Sequence, residues 1–202
     1  MSTRGHHYYI INKPYNMVSQ FISPDKVGLL GDLKFDFPEG IHAIGRLDNH
    51  SEGLLILTTN KKVTKLLFQG EQPHKRTYLL KVANEVSPES LQALRAGVTI
   101  RIKGGGDYIT SPCEVHIVSP PPDIFPDPHP IKEYRTYSWL TITLYEGKFH
   151  QVRKMVNAVG NRCKRLIRIS IEDLELGNLQ PGCVKEIPEE DFFRLLKIDN
   201  WR

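Results

Sequence analysis

Residues 45–55 read GRLDNHSEGLL, which sets Arg46, Asp48 and Glu52 within seven residues, between Ile44 and the apolar run Leu54–Leu57. One arginine and two carboxylates just before an apolar run admit three readings: a helix cap, a surface turn, or a reactive acid presented at a strand mouth. Glu52-Gly53 and a strand over Leu54–Thr58 leave little room for a helix. Loops at the edge of a rigid scaffold are where reactive groups are usually presented. An acid used there needs a partner that keeps it ionised. Arginine is the strongest candidate, because it stays charged at any burial. Arg46 is too close along the chain to be the sole partner, though it can reach a substrate.

The flanking chain predicts a scaffold of strands and short helices. Tyr8–Ile11 is a short apolar strand ending at Asn12-Lys13-Pro14. Asn60 can cap a short helix with Val63, Leu66 and Leu67 on one face. Thr77–Val82 (TYLLKV) is rich in strand formers. A helix follows with Ser87 as N-cap, Pro88 in its first turn, Leu91 and Leu94 inward, and Gly97 past its end. Gly104–Gly106 is a loop without the spacing of a phosphate cradle. Ser119–Pro130 (SPPPDIFPDPHP) carries six prolines, so it is neither helix nor central strand and reads as an ordered flap. Trp139, Thr141, Thr143 and Tyr145 alternate with Leu140, Ile142 and Leu144, a two-faced strand. In EGKFHQVRKMVNAVG (146–160), Val152, Met155, Val156 and Val159 form a helical stripe that turns Arg153, Lys154 and Asn157 the other way, and Gly160 ends it. Pro188–Lys197 closes the fold as a helix that buries Phe192, Leu195 and Leu196. Strands outnumber helices, which predicts an α+β fold: a mixed, mostly antiparallel sheet flanked by helices.

A chain of 202 residues suits one domain, or one domain in two lobes, and its 40% hydrophobic residues suffice for a core. No apolar run approaches the ~20 residues that span a bilayer. The start, MSTRGHHYYIINKP, lacks the apolar segment of a signal peptide, so a cytoplasmic protein is expected. Cys113, Cys163 and Cys183 are odd in number and contain no CxxC pair, which argues against zinc or a disulfide framework and for buried spectators. His6, His7, His74 and His129 show no metal-ligand spacing. Net charge is +4, but its distribution is uneven. Residues 61–81 hold six Lys/Arg and one acid, Glu71; residues 150–168 hold six Lys/Arg and no acid; a mainly acidic end begins at Glu172. Segregated basic blocks predict a face for a polyanion, with a merely solvated surface as the alternative.

Taken together, these stretches resemble the pseudouridine synthases, in particular the branch acting on bacterial ribosomal RNA. GRLDNHSEGLLILTTN (45–60) is similar to that branch's signature loop, KRTYLLKV (75–82) to its second motif and EGKFHQVRKM (146–155) to its third; NKP (12–14) and the late GNLQPGCVKEI also fit. The likeness spans nearly the whole chain. The layout is most similar to the large-subunit type E, including the absence of a preceding S4 RNA-binding domain. Phe149-His150 departs from it, standing where that type usually has Asn-Arg; a Tyr-His pair is more typical of the small-subunit enzyme.

The resemblance implies the pseudouridine synthase fold, with two lobes around a central basic cleft, in one catalytic domain over residues 1–202. It implies Asp48 as the essential carboxylate, Arg153 as its ion-pair partner, and Tyr78 stacked on the flipped uracil, where it can move a proton. Arg46 would fill the vacated space or hold phosphate. Lys13, Arg76 and Lys154 would lie near backbone phosphates, with His150 and Gln151 also against RNA. Converting uridine to pseudouridine breaks a C–N bond and makes a C–C bond between the same two partners, so neither metal nor cofactor is needed. A base in a stem must first be turned out of the stack. The implied partner is ribosomal RNA, 23S above all, free or in an assembly particle; no membrane or small-molecule cofactor is implied, and the enzyme is expected to be a monomer. Alternatives are the same chemistry on a 16S rRNA or tRNA uridine, and a non-catalytic RNA-binding ribosome-assembly protein. The latter would have little need for Asp48, Tyr78 and Arg153 together. A hydrolase using Asp48 and Glu52 as paired acids fails, since both sit in one short loop with no water-activating partner evident.

Overall fold

The computed structural model describes residues 5–68, 73–121, 125–128 and 136–201. The chain divides into two compact units, Met1–His74 with Arg168–Arg202, and Lys75–Ile167. Strands β1 (Tyr8–Lys13), β2 (His42–Ile44) and β3 (Glu52–Thr58) and helix α1 (Lys62–Phe68) belong to the first unit. The second contains β4 (Arg76–Ala83), α2 (Pro88–Ala96), β5 (Thr99–Arg101), β6 (Asp107–Ile109), β7 (Glu114–Val118), β8 (Tyr137–Leu144) and α3 (Gln151–Ala158). Strand β9 (Arg162–Ile171) carries the chain back into the first unit, which ends with β10 (Leu174–Glu175), β11 (Val184–Glu186) and α4 (Glu189–Leu195). The α+β class and the mostly antiparallel pairing agree with the sequence. Among the described residues no helix is long and apolar enough to cross a membrane.

In the first unit β1 lies antiparallel between β11 and β3, with Ile10 opposite Lys185 on one side and Ile56 on the other. Strand β2 adds to β3, Ile44 opposite Ile56. Every residue of β1 and β3 is buried, polar ends included. Tyr8 packs its ring 4.6 Å from Phe192 and 5.4 Å from Phe193 of α4. Its hydroxyl donates to Glu189 at 2.5 Å and accepts from Asn60 at 2.9 Å. Asn60 also caps α1 as expected, accepting from the Lys62 amide at 3.0 Å. In α4 the buried residues are Phe192 and Phe193. Leu196, just past its end, is buried as expected, whereas Leu195 is only half-buried and Phe193 faces inward in its stead.

In the second unit β8 pairs antiparallel with β4 along one edge, from Arg76 opposite Leu144 to Ala83 opposite Tyr137, and with β7 along the other. Leu80, Val82, Leu140, Ile142 and Leu144 form a core with Leu94 of α2 and Val152, Met155 and Val156 of α3. The ends of α2 are those read from sequence. The Ser87 hydroxyl accepts from the Ser90 amide at 3.1 Å. Gly97 has φ +102, and a Cβ there would meet the Thr110 carbonyl oxygen at 2.2 Å, so only glycine fits. The Gly104–Gly106 loop is the turn of a hairpin, β5 to β6, whose strands the sequence did not suggest. The described residues of Ser119–Pro130 form neither helix nor strand; 122–124 and 129–130, His129 among them, lie outside the described residues, as does Glu71.

Several charges counted as surface charges are buried. Lys81 is 2% exposed and pairs with Asp127 at 2.8 Å. Arg165 is also 2% exposed, donating to the carbonyls of Phe125 at 2.9 Å and Pro126 at 3.3 Å. The two basic blocks therefore offer fewer charges to a polyanion than their composition suggests. The cysteines also depart from expectation: Cys183 is exposed, and Cys113 and Cys163 are half-buried.

Candidate active site

The loop that joins β2 to β3 is fixed at three points. Gly45 has φ +71, so position 45 favours glycine for its backbone, and a Cβ on it would push against the tip of the Phe68 ring at 2.9 Å. Leu47 is buried and bracketed by one hydroxyl: its amide donates to Ser19 Oγ at 2.9 Å, and Ser19 Oγ donates to its carbonyl at 3.0 Å. The Ser51 amide donates to the Asp48 carbonyl at 3.0 Å, closing a turn immediately before β3. No helix follows, which removes the cap reading. Arg46 points to an exposed position and Asp48 to a half-buried one on either side of the anchored Leu47.

Beneath this turn lies a cluster of buried charge. Lys13, expected near phosphate, is fully buried at the end of β1. Its ammonium donates to the carbonyls of Met17 at 2.6 Å, Pro14 at 2.8 Å and, more weakly, Asn49 at 3.4 Å. A lysine so enclosed cannot serve as a surface phosphate contact; instead it ties the end of β1 to the residue after Asp48. Burial lowers its pKa, the charges of Glu52 and then Asp48 raise it, and Arg168 lowers it, leaving it at about 7. Glu52 and Arg168 are both 4% exposed, and Arg168 Nε donates to the Leu54 carbonyl at 2.8 Å. Buried Lys13, Arg168 and Glu52, with the half-buried Asp48, balance in sign inside the first unit, and burying such charges is tolerable only when they are paired and hydrogen-bonded. Glu52, Arg168 and Ser19 support this turn and the charges beneath it, a part that the sequence reading did not give them. For Arg168 a signal exists: it interrupts the apolar strand RLIRISI, where a solvated arginine is out of place.

The other expected site residues belong to the second unit. Tyr78 is half-buried on β4, opposite Ile142 and against the core. Arg153 is half-buried on α3, and its charge reaches Cys163. Burial nevertheless pushes the Cys163 thiol up to about 11, and Cys113 likewise, so both stay protonated and un-nucleophilic at neutral pH. Arg76 donates to the Tyr145 carbonyl at 3.1 Å and Lys154 to the Arg101 carbonyl at 2.6 Å. His150 precedes α3 with a left-handed φ of +54 and stacks on Phe149. Gln151, expected against RNA, is 4% exposed. Its amide donates to Glu146 at 2.6 Å and accepts from the Lys148 amide at 2.8 Å, so the side chain is engaged within its own loop. Glu146 in turn accepts from the Tyr108 hydroxyl and from the Ser111 amide at 3.0 Å, which fastens the start of α3 to β6 and the segment beyond it.

Residues 7–158 match the family described as RNA pseudouridylate synthase. A ribosomal large subunit pseudouridine synthase E from Xanthomonas axonopodis pv. citri is 35% identical over 174 residues, covering 85% of this chain and 89% of that protein. A ribosomal small subunit pseudouridine synthase A from Yersinia pestis is 27% identical over 188 residues, covering 93% of this chain and 73% of the relative. Among solved structures, a crystal structure of a pseudouridylate synthase superposes with a TM-score of 0.76 at 25% identity, over 95% of this chain and 74% of the other. With three quarters of its length matched and the fold shared, the chain belongs to the RNA pseudouridylate synthase family.

Proposed function

We propose that the protein isomerises a specific uridine of 23S ribosomal RNA to pseudouridine, with Asp48 as the reacting carboxylate. The observation that carries the substrate is the likeness to a large-subunit type E enzyme, 35% identical over 85% of this chain. The observation that supports Asp48 is its turn, closed by Ser51, pinned through Leu47 and set over the buried charges of Lys13, Glu52 and Arg168. A carboxylate held this way is pre-oriented, and fixed orientation is where much of an enzyme's rate comes from.

The reaction breaks the bond from the sugar to N1 of uracil, turns the base, joins the sugar to C5 and releases the C5 proton. Every atom stays within the nucleotide apart from that proton; N1, freed from the sugar, takes up one proton from solvent or a side chain, so the net change is an isomerisation. Asp48 acts as nucleophile or as base; either role needs one ionised carboxylate. Arg153 supplies the counter-charge, and Tyr78 stacks on the uracil. Arg46, Arg76, Lys154 and His150 hold the RNA. Lys13, Glu52, Arg168 and Gln151 act at one remove, as positioning residues. The partner is ribosomal RNA, bare or in an assembly particle, and the enzyme works as a monomer in the cytoplasm.

A second target has one observation in its favour: Phe149-His150 departs from the large-subunit pattern towards the small-subunit one. Incubating the purified protein with 23S and 16S transcripts, then mapping pseudouridines, separates the two. Modification at one 23S uridine, missing from cells that lack the protein, is the expected result. A single site in 16S would replace the target and keep the chemistry, and no pseudouridine in either would overturn the assignment.

A further inference from the structure

We infer that Phe149, with His150 and the lysines around it, forms a platform on which an unpaired RNA base other than the target uridine stacks. The inference rests on the RNA-directed function proposed above and concerns a residue to which that function gives no role. Phe149 is 53% exposed although it abuts the buried start of α3. A phenylalanine half in water gains little for folding. Its ring is nevertheless held in order: the His150 imidazole lies 3.8 Å away at an interplanar angle of 18°. His150 sits in the left-handed region, which non-glycine residues occupy at a cost and mostly where the surroundings dictate it.

Cations surround the ring. Lys103 Nζ lies 5.8 Å from the Phe149 centroid and Lys154 Nζ 5.4 Å from it. Lys154 is directed there by its bond to the Arg101 carbonyl, and Lys103 comes from the β5–β6 hairpin. Exposed cation–π contacts are weak, so each ammonium gains by exchanging the ring for a phosphate. A half-exposed aromatic pair with two ammonium groups over its ring fits a nucleobase that extends the stack as the lysines turn from the ring to its flanking phosphates. An acidic protein surface would use the lysines and leave the aromatic pair unexplained. A paired base has no free face for it, so the platform selects single-stranded RNA.

The test measures binding apart from turnover. A fluorescein-labelled single-stranded RNA of mixed sequence and its blunt duplex are titrated against wild type, Phe149→Leu, Phe149→Trp and Lys103→Ala. A second strand carrying 2-aminopurine reports stacking by fluorescence quenching. Phe149→Leu should weaken single-strand binding about tenfold and abolish the quench, since stacking is sensitive to loss of the ring. Phe149→Trp should restore both, and the duplex should bind wild type and the two Phe149 variants alike. Phe149→Leu is an apolar replacement at an exposed position; a circular dichroism melt matching wild type shows that folding is unaffected. Wild-type binding and quenching by Phe149→Leu would overturn the platform. Pseudouridine formation by the wild type is scored separately: no product with the quench intact removes the proposed activity and leaves the platform standing.

Discussion

The surroundings of Lys13 and those of Phe149 use the same residue type to opposite ends. In the first unit Lys13 is sealed from water, its ammonium spent on backbone carbonyls, and the charges acting on it come from Glu52, Asp48 and Arg168. In the second unit Lys103, Lys148 and Lys154 lie near aromatic rings, with Lys148 Nζ 4.6 Å from the Tyr108 ring. A buried, balanced cluster cannot bind a polyanion, but it can hold a loop in one conformation. Lysines resting on rings near solvent are weakly held by them and can turn to a phosphate at little cost. The comparison teaches that, in a basic protein, the number of Lys and Arg residues says less about RNA contact than the fraction that remains hydrated.

Breaking the buried side should give the largest effect. Arg168→Met removes one cation from the cluster and leaves a buried carboxylate under-compensated, at a cost on the order of 3–5 kcal/mol. Urea denaturation measures this, and adding Glu52→Gln should return part of the loss; full stability in the single variant would show that the cluster is not coupled.

Lys13 sharpens the same side through pH. Its value of about 7 in the folded protein is below its ordinary 10.5, so between these two pH values the unfolded chain holds a proton that the folded chain does not. Stability from this residue must therefore rise with pH across that window, at no more than about 1.4 kcal/mol per pH unit. Below pH 7 both states are protonated, and the folded state bears the full burden of the buried charge. The stability difference between wild type and Lys13→Met, followed from pH 7 to pH 10, should grow in favour of wild type; a flat difference would mean that Lys13 does not titrate there.

On the hydrated side, Arg46→Gln should change stability by less than about 0.5 kcal/mol. If Arg46 meets a phosphate, the same change lowers the slope of log affinity against log salt by about 1. An unchanged slope would place Arg46 away from the RNA backbone.

The sequence was most legible where a local rule acts alone. Ser87, Pro88 and Gly97 bound α2 because capping and the positive-φ requirement need no distant partner. Strands β1, β3, β4 and β8 are long enough for their apolar content to register, whereas β2, β5, β6 and β11 have three residues each and too little length for a period. Charge burial was the main misreading. Lys13, Lys81 and Arg165 are basic by type, and only tertiary partners, such as Asp127 for Lys81 and the Phe125 carbonyl for Arg165, take them out of water. The clue lay in their setting: each sits in a strand next to an apolar run, YYII in YYIINK, YLL in RTYLLKVA and LI in RCKRLIRISI. Asp48 was legible as a loop acid from its neighbours, but its chemical role came from the resemblance of the surrounding motifs.

The measurement that bears most directly on the account is single-turnover pseudouridine formation by Asp48→Asn on the 23S transcript. Asparagine keeps the shape of the side chain and removes its charge, and Asp48 is neither a core residue nor a phosphate contact in this account. The variant should fold, bind RNA as the wild type does, and yield no pseudouridine above detection. Measurable product, with deamidation back to aspartate excluded by mass spectrometry, would contradict it.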